Sequence, residues 1–183
     1  AIKESISKSD KRVSGIGVAM PGPFNYQTGI CEMENLGKFD KLYGLDVTNS
    51  LLTRIANSDI REIRYVNDAA AFAAGEYYGG AYKGAGRMMA LTLGTGLGSG
   101  FVANGELVES GETVPPNGWV YNLPFEGGIA DEKFSTRWFV SRYEELTGAR
   151  VAGVREIMES ASADSAAIQV FSEYGSQIGR AHV

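Results

Sequence analysis

Ten residues constrain the fold of this chain more than any other stretch: Leu91-Thr92-Leu93-Gly94-Thr95-Gly96-Leu97-Gly98-Ser99-Gly100. Met88 to Leu93 is an apolar run that reads as a buried strand, and Phe101-Val102-Ala103 resumes the apolar pattern beyond the glycines. Asn104-Gly105 favours a tight hairpin turn, so Glu106 to Glu109 is expected to return as a third strand. Glycine at positions 94, 96, 98 and 100 predicts a loop between the first two strands. Lacking Cβ, such a loop can reach positive φ and bring backbone N–H groups close to an anion. Thr95 and Ser99 add hydroxyl donors. The chemistry this suits is the cradling of a phosphate. A glycine-rich hairpin with no ligand carries the same signature.

The rest of the composition narrows the function classes. A length of 183 residues suits one ordinary domain or two small ones. With 44% hydrophobic and 21% charged residues, the chain can bury a core. The formal net charge of -5 comes with no basic block, which disfavours a nucleic-acid partner. Cys31 is the single cysteine, so neither an internal disulfide nor a multi-cysteine metal site can form. That fits a reducing compartment, and a cytoplasmic location is expected. No apolar run approaches the roughly 20 residues that span a membrane, and no signal peptide is visible. Ala1 stands where a gene product normally has methionine, and Val183 follows directly on a helical pattern. Both ends are expected to be cut.

Taken in order, Ala1 to Asp10 reads as the tail of a helix, and Val13 to Ala19 as a buried strand ending in Met20-Pro21-Gly22-Pro23. Two prolines around a glycine fix a rigid turn at the strand's C-terminal end, where α/β sheets place ligands. A plain stiff turn is the simpler alternative. Asn25 to Asp40 is polar and turn-rich; Asp46 or Thr48 caps a short helix carried by Val47, Leu51, Leu52 and Ile55. Ile60 to Val66 reads as a strand, closed by Asn67-Asp68, and an alanine-rich helix starts at once. Asp68 suits a helix cap, and equally a carboxylate at a strand-to-helix junction acting as general base. A domain hinge is expected after the helix, giving domains 1–82 and 83–183. Glu112 to Gly128 is irregular, with Glu126 flanked by glycine; a helix is expected from about Asp131 to Thr147, stopped by Gly148. A shorter helix follows at Val154 to Ser160, and Asp164 caps a last one.

Four of these signals recur with a familiar spacing: the strand ending in Met-Pro-Gly-Pro, Asn35-Leu36, Asn67-Asp68-Ala69-Ala70-Ala71 leading to Gly75-Glu76, and Leu93 to Gly100. Together they resemble the ROK family of repressors, uncharacterised frames and sugar kinases, most closely its glucokinase-like members, from about Val13 to Gly179. The resemblance implies an α/β fold of the two-domain actin/hexokinase (ribonuclease H-like) type, incomplete here, with ATP and a sugar meeting between the domains. By resemblance, Asp68 takes the proton from the sugar hydroxyl during ATP-dependent phosphorylation of a hexose or N-acylhexosamine. Asn35, Asn67, Glu126 and Glu132 bind other sugar hydroxyls, and Gly94, Thr95, Gly96 and Gly98 hold ATP phosphates. Mg²⁺ is the expected companion of ATP, and a homodimer is possible.

The sequence also departs from the family. Ile129 stands where its Glu-x-Gly-His segment has histidine, the only histidine is His182, and the cysteine-rich zinc motif is missing, so no zinc is expected. By the resemblance, the Asp-Gly-Gly-Thr-type strands that handle phosphate and Mg²⁺ belong before Ala1, and the adenosine-binding glycine segment after Val183. The 183-residue chain by itself is therefore expected to show little or no kinase activity, and Arg180-Ala181-His182-Val183 reads as possible foreign sequence. Two alternatives stand beside the kinase: a non-catalytic sugar-sensing regulator of the same family, and a glycine-rich α/β domain with an unrelated anion ligand.

Overall fold

The computed structural model describes residues 1–35, 39–57, 59–161 and 163–181. Leu36 and Gly37 of the Asn35-Leu36 signal, and His182 and Val183, lie outside the described residues. Packing divides the chain into two units, Ala1–Ala71 and Phe72–Val183.

In chain order the first unit holds α1 (Ile2–Ser7), β1 (Gly15–Met20), β2 (Phe24–Asn25), β3 (Ile30–Cys31), α2 (Val47–Ile55), β4 (Glu62–Asn67) and the start of α3 (Asp68–Gly79). β1 and β4 pair in parallel, from Gly15 opposite Glu62 to Met20 opposite Asn67. Two neighbouring strands therefore end level with one another. Asp46, rather than Thr48, caps α2: its carboxylate accepts the Asn49 N–H at 2.8 Å. The Thr48 hydroxyl donates instead to the Tyr65 hydroxyl at 3.1 Å. Met20, Phe24, Cys31, Met33 and Val47 form the core of this unit, with the Tyr65 ring tilted against Phe24 at 4.9 Å between ring centroids. Burial of this kind stabilises by about 1.5–3 kcal/mol for each large apolar side chain. It fixes the exit of β1, because Met20 is both the last strand residue and part of that core.

The second unit begins within α3 and continues through β5 (Arg87–Leu93), β6 (Leu97–Ala103), β7 (Glu106–Leu107), β8 (Pro124–Phe125) and β9 (Gly128–Ile129). α4 (Ala130–Lys133), α5 (Thr136–Thr147), α6 (Val154–Ser160) and α7 (Ser165–Ala181) follow. β5, β6 and β7 form the expected antiparallel meander. Asn104 and Gly105 turn it with φ of 50° and 88°, the left-handed pair that a two-residue hairpin needs. β7 stops at Leu107, short of Glu109. Ala73 of α3 packs with Ala90 and Val102 on the meander, flanked by Tyr77 and Met88.

The single helix expected from Asp131 to Thr147 is broken into α4 and α5. Phe134 and Ser135 leave helical geometry, Ser135 at φ -121° and ψ 166°, and both are almost fully buried. The break lets Phe134 enter a core with Phe139, Tyr143, Ile157, Val170 and Tyr174, where the Phe139 and Tyr174 rings lie 4.3 Å apart. Two polar contacts tie the helices around it. The Arg142 guanidinium grips Glu173 through bonds of 2.7 and 3.0 Å, joining α5 to α7 and holding the Glu173 carboxyl below its ordinary range. The Tyr143 hydroxyl donates to Asp164 at 2.6 Å, and that bond, with the Ala166 N–H, holds the Asp164 carboxyl below its ordinary range. Gly148 ends α5 with φ 72°, as its position after Thr147 predicts.

Candidate functional site

The first cluster sits at the level ends of β1 and β4. Asn67, the last residue of β4, turns its side-chain carbonyl onto the N–H groups of Ala69 (3.0 Å) and Ala70 (3.2 Å). Asn67 therefore caps α3. This corrects the expectation that Asp68 does so: among the described residues its carboxylate reaches only the adjacent Ala69 N–H, at 3.0 Å, and it stands exposed on the first turn of the helix. The Asn67 amide donates at 3.2 Å to the Tyr26 hydroxyl, which donates in turn to the Met20 carbonyl at 3.1 Å. Tyr26 thus links the ends of both strands, and no local sequence signal marks it, since its partner is 41 residues away. Asn67 keeps one amide hydrogen for an incoming group. Asn35 is exposed, with left-handed φ of 58°.

The second cluster is the β5–β6 turn. It is shorter than the glycine pattern suggests: only Gly94, Thr95 and Gly96 lie outside the strands, while Gly98 pairs with Thr92 inside β6. None of Gly94, Gly96, Gly98 and Gly100 takes positive φ, so conformational freedom is not what glycine supplies here. At Gly96 the reason is close approach, because a Cβ there would lie 3.0 Å from the Asp131 carboxylate. At Gly94 a Cβ would meet nothing within 4 Å, leaving its outer face open to a ligand.

The hydrogen bonds of the turn follow a pattern. The Gly94 carbonyl accepts from the Thr136 N–H (2.8 Å) and hydroxyl (2.9 Å), both at the start of α5. The Thr95 carbonyl accepts from Arg137 at 3.4 Å, and the Gly96 carbonyl from the Gly94 N–H at 3.1 Å. The Leu97 N–H donates to Asp131 Oδ1 at 2.6 Å, and Asp131 Oδ2 pairs with the Arg137 guanidinium. A trans peptide points its C=O and N–H in opposite directions. With the carbonyls of Gly94 and Thr95 drawn to α5, the N–H groups of Thr95 and Gly96 face away from it, and among the described residues neither has a partner. Two adjacent outward amides in a glycine turn are an anion site by their chemistry.

A third group lies in the irregular segment. Glu126 and Gly127 form a tight turn between β8 and β9, with φ of 45° and 81°, a hairpin absent from the sequence expectation. The Glu126 carboxylate pairs with Arg180 at 2.9 Å. Glu132 folds back so that its carboxylate accepts the Ile129 N–H at 3.2 Å. Gly128 has to be glycine for this, since a Cβ would lie 2.1 Å from Glu132 Oε2. Among the described residues no group of three or more His, Cys, Asp or Glu side chains gathers to hold a metal ion, and no helix is long and apolar enough to cross a membrane.

Comparison with known proteins gives this geometry a family. The sequence profile of the ROK family matches residues 1–121, two thirds of the chain. The chain belongs to the ROK family. It is 33% identical over 114 residues to an N-acetyl-D-glucosamine kinase of Haemophilus influenzae, a match covering 61% of this chain and 35% of that enzyme. It is 31% identical over 121 residues to a glucokinase of Thermotoga maritima, covering 61% and 36%. The crystal structure of a glucokinase from Parabacteroides distasonis superposes with TM-score 0.75 at 28% identity, over 98% of this chain and 56% of that one. The matches thus span about a third of the curated ROK relatives' length, and about half of that solved structure. The fold is the α/β hexokinase-like fold of ROK sugar kinases.

Proposed function

We propose that the protein carrying this chain phosphorylates a hydroxyl of a hexose or N-acylhexosamine with ATP, Asp68 acting as general base. The observation that carries the proposal is the division of labour at the β4–α3 junction. Asn67 caps the helix, so the exposed Asp68 carboxylate is left for a substrate. Asp68 accepts the proton of the attacking sugar hydroxyl, a contribution of about 10²–10⁴-fold for a positioned base. Asn67, with its spare amide hydrogen, and Asn35, Glu126 and Glu132 bind the other hydroxyls and set the sugar's orientation.

The β5–β6 turn fits ATP phosphates. Its outward amides at Thr95 and Gly96 and the open face of Gly94 accept an anion without displacing any chain atom. Gly98 supports the turn from within β6. ATP supplies the phosphoryl group to be transferred. Mg²⁺ belongs to the same proposal as the companion of ATP, where it would neutralise phosphate charge. The domain division at Tyr82–Lys83 belongs to the same proposal.

The test is ADP release by the full-length protein with glucose, mannose and N-acetylglucosamine. ATP-dependent turnover with at least one is expected. Tight sugar binding without turnover would instead support a sugar-sensing regulator.

A further inference from the structure

The glycine turn lies where two separated segments reach it: Asp131 of α4, and Thr136 and Arg137 at the start of α5. We propose that Asp131, Thr136 and Arg137 are positioning residues for the nucleotide. Thr136 and Arg137 draw the turn's carbonyls towards α5, Asp131 takes the Leu97 N–H, and Arg137 neutralises the Asp131 carboxylate, so that the Thr95 and Gly96 N–H groups meet the phosphates already oriented. The proposal rests on the assignment of this turn to ATP phosphates.

Three observations carry it. Thr136 engages the Gly94 carbonyl through both backbone and side chain, at 2.8 and 2.9 Å. One of those bonds depends on the identity of the residue, so the brace is more than a helix end meeting a loop. Asp131 stands directly beneath Gly96, on the Leu97 N–H, and its side chain is only 17% exposed. A largely desolvated carboxylate beside a phosphate site repels the ligand unless it is paired. Arg137 supplies that pair and also reaches the Thr95 carbonyl. Preorganised amides need no reorientation when charge arrives, which is where such donors gain their strength. The broken helix at Phe134–Ser135 now has a second consequence: it aims Thr136 and Arg137 at a turn 42 residues earlier.

The experiment measures Kd for ATP, ADP and adenosine, and KM for ATP and for sugar, in the full-length protein. Thr136→Val removes one hydrogen bond and is expected to weaken ATP and ADP about fivefold, leaving adenosine unchanged. The ATP KM rises with little change in the sugar KM, and Thr136→Ser restores it. Arg137→Ala is expected to weaken ATP about tenfold by exposing the Asp131 charge, and adding Asp131→Asn to it recovers most of the loss. Equal weakening of adenosine, unchanged ATP binding by Thr136→Val, or failure of Asp131→Asn to compensate overturns the proposal. A wild-type protein that binds neither ATP nor ADP overturns the phosphate assignment itself, a different failure.

Discussion

The strand-to-helix junction at Asn67–Asp68 and the hairpin turn at Gly94–Gly96 solve the same problem by opposite means. At the junction a side chain serves the backbone: the Asn67 carboxamide takes the first helix amides, and the Asp68 carboxylate, held only on the adjacent Ala69 N–H among the described residues, stands exposed. At the turn the carbonyls are taken by donors at the start of α5, and two amides are left free. The first region presents a carboxylate, the second presents N–H dipoles. A base for a hydroxyl and a cradle for an anion are the two things phosphoryl transfer asks of a protein, since the rest is positioning.

That contrast can be broken at four points. The largest effect is expected at Asp68: Asp68→Ala lowers kcat of the full-length protein by about 10²–10⁴-fold in a coupled ADP assay, with the melting temperature unchanged. Next is Gly94→Ala, whose Cβ enters open space. It should weaken ATP binding about tenfold by calorimetry at unaltered stability, because the new methyl obstructs the ligand and not the chain. Asn67→Ala should do the reverse in kind, lowering stability by about 1–2 kcal/mol in urea unfolding through the lost cap. The smallest effect is expected at Asp164. Its folded-state carboxyl titrates below the unfolded value, so its stabilisation is present above about pH 4 and is lost as pH falls through the folded value. Asp164→Asn should therefore melt earlier than wild type at neutral pH and converge with it in acid, with ATP binding intact.

The sequence was most legible where the signal is local. Asn104-Gly105 and Gly148 fall as turn and capping chemistry predict, and the alanine-rich helix follows β4 directly as expected. The glycine hairpin was legible in place but not in kind. At Gly96 glycine is required because Asp131 comes close, and at Gly94 a Cβ would meet open space; the first fact depends on a residue 34 positions away in the sequence. For the same reason the capping role went to Asp68 instead of Asn67: both are good caps, and only the strand's last residue settles which amides are in reach. The Glu126–Gly127 hairpin escaped notice because glutamate is an unusual residue at positive φ. The break before Thr136 lies inside an apolar pattern that continues across it, so periodicity alone runs through it.

Calorimetric titration of sugar into the Asp68→Ala form of the full-length protein, run beside its turnover, tests Asp68 as the base most directly. A general base is needed in the transition state, so sugar Kd should stay within about threefold of wild type while turnover is lost. Turnover close to wild type would contradict the assignment of Asp68 outright. Loss of sugar binding in step with turnover would make residue 68 a sugar ligand and leave the reaction without its base.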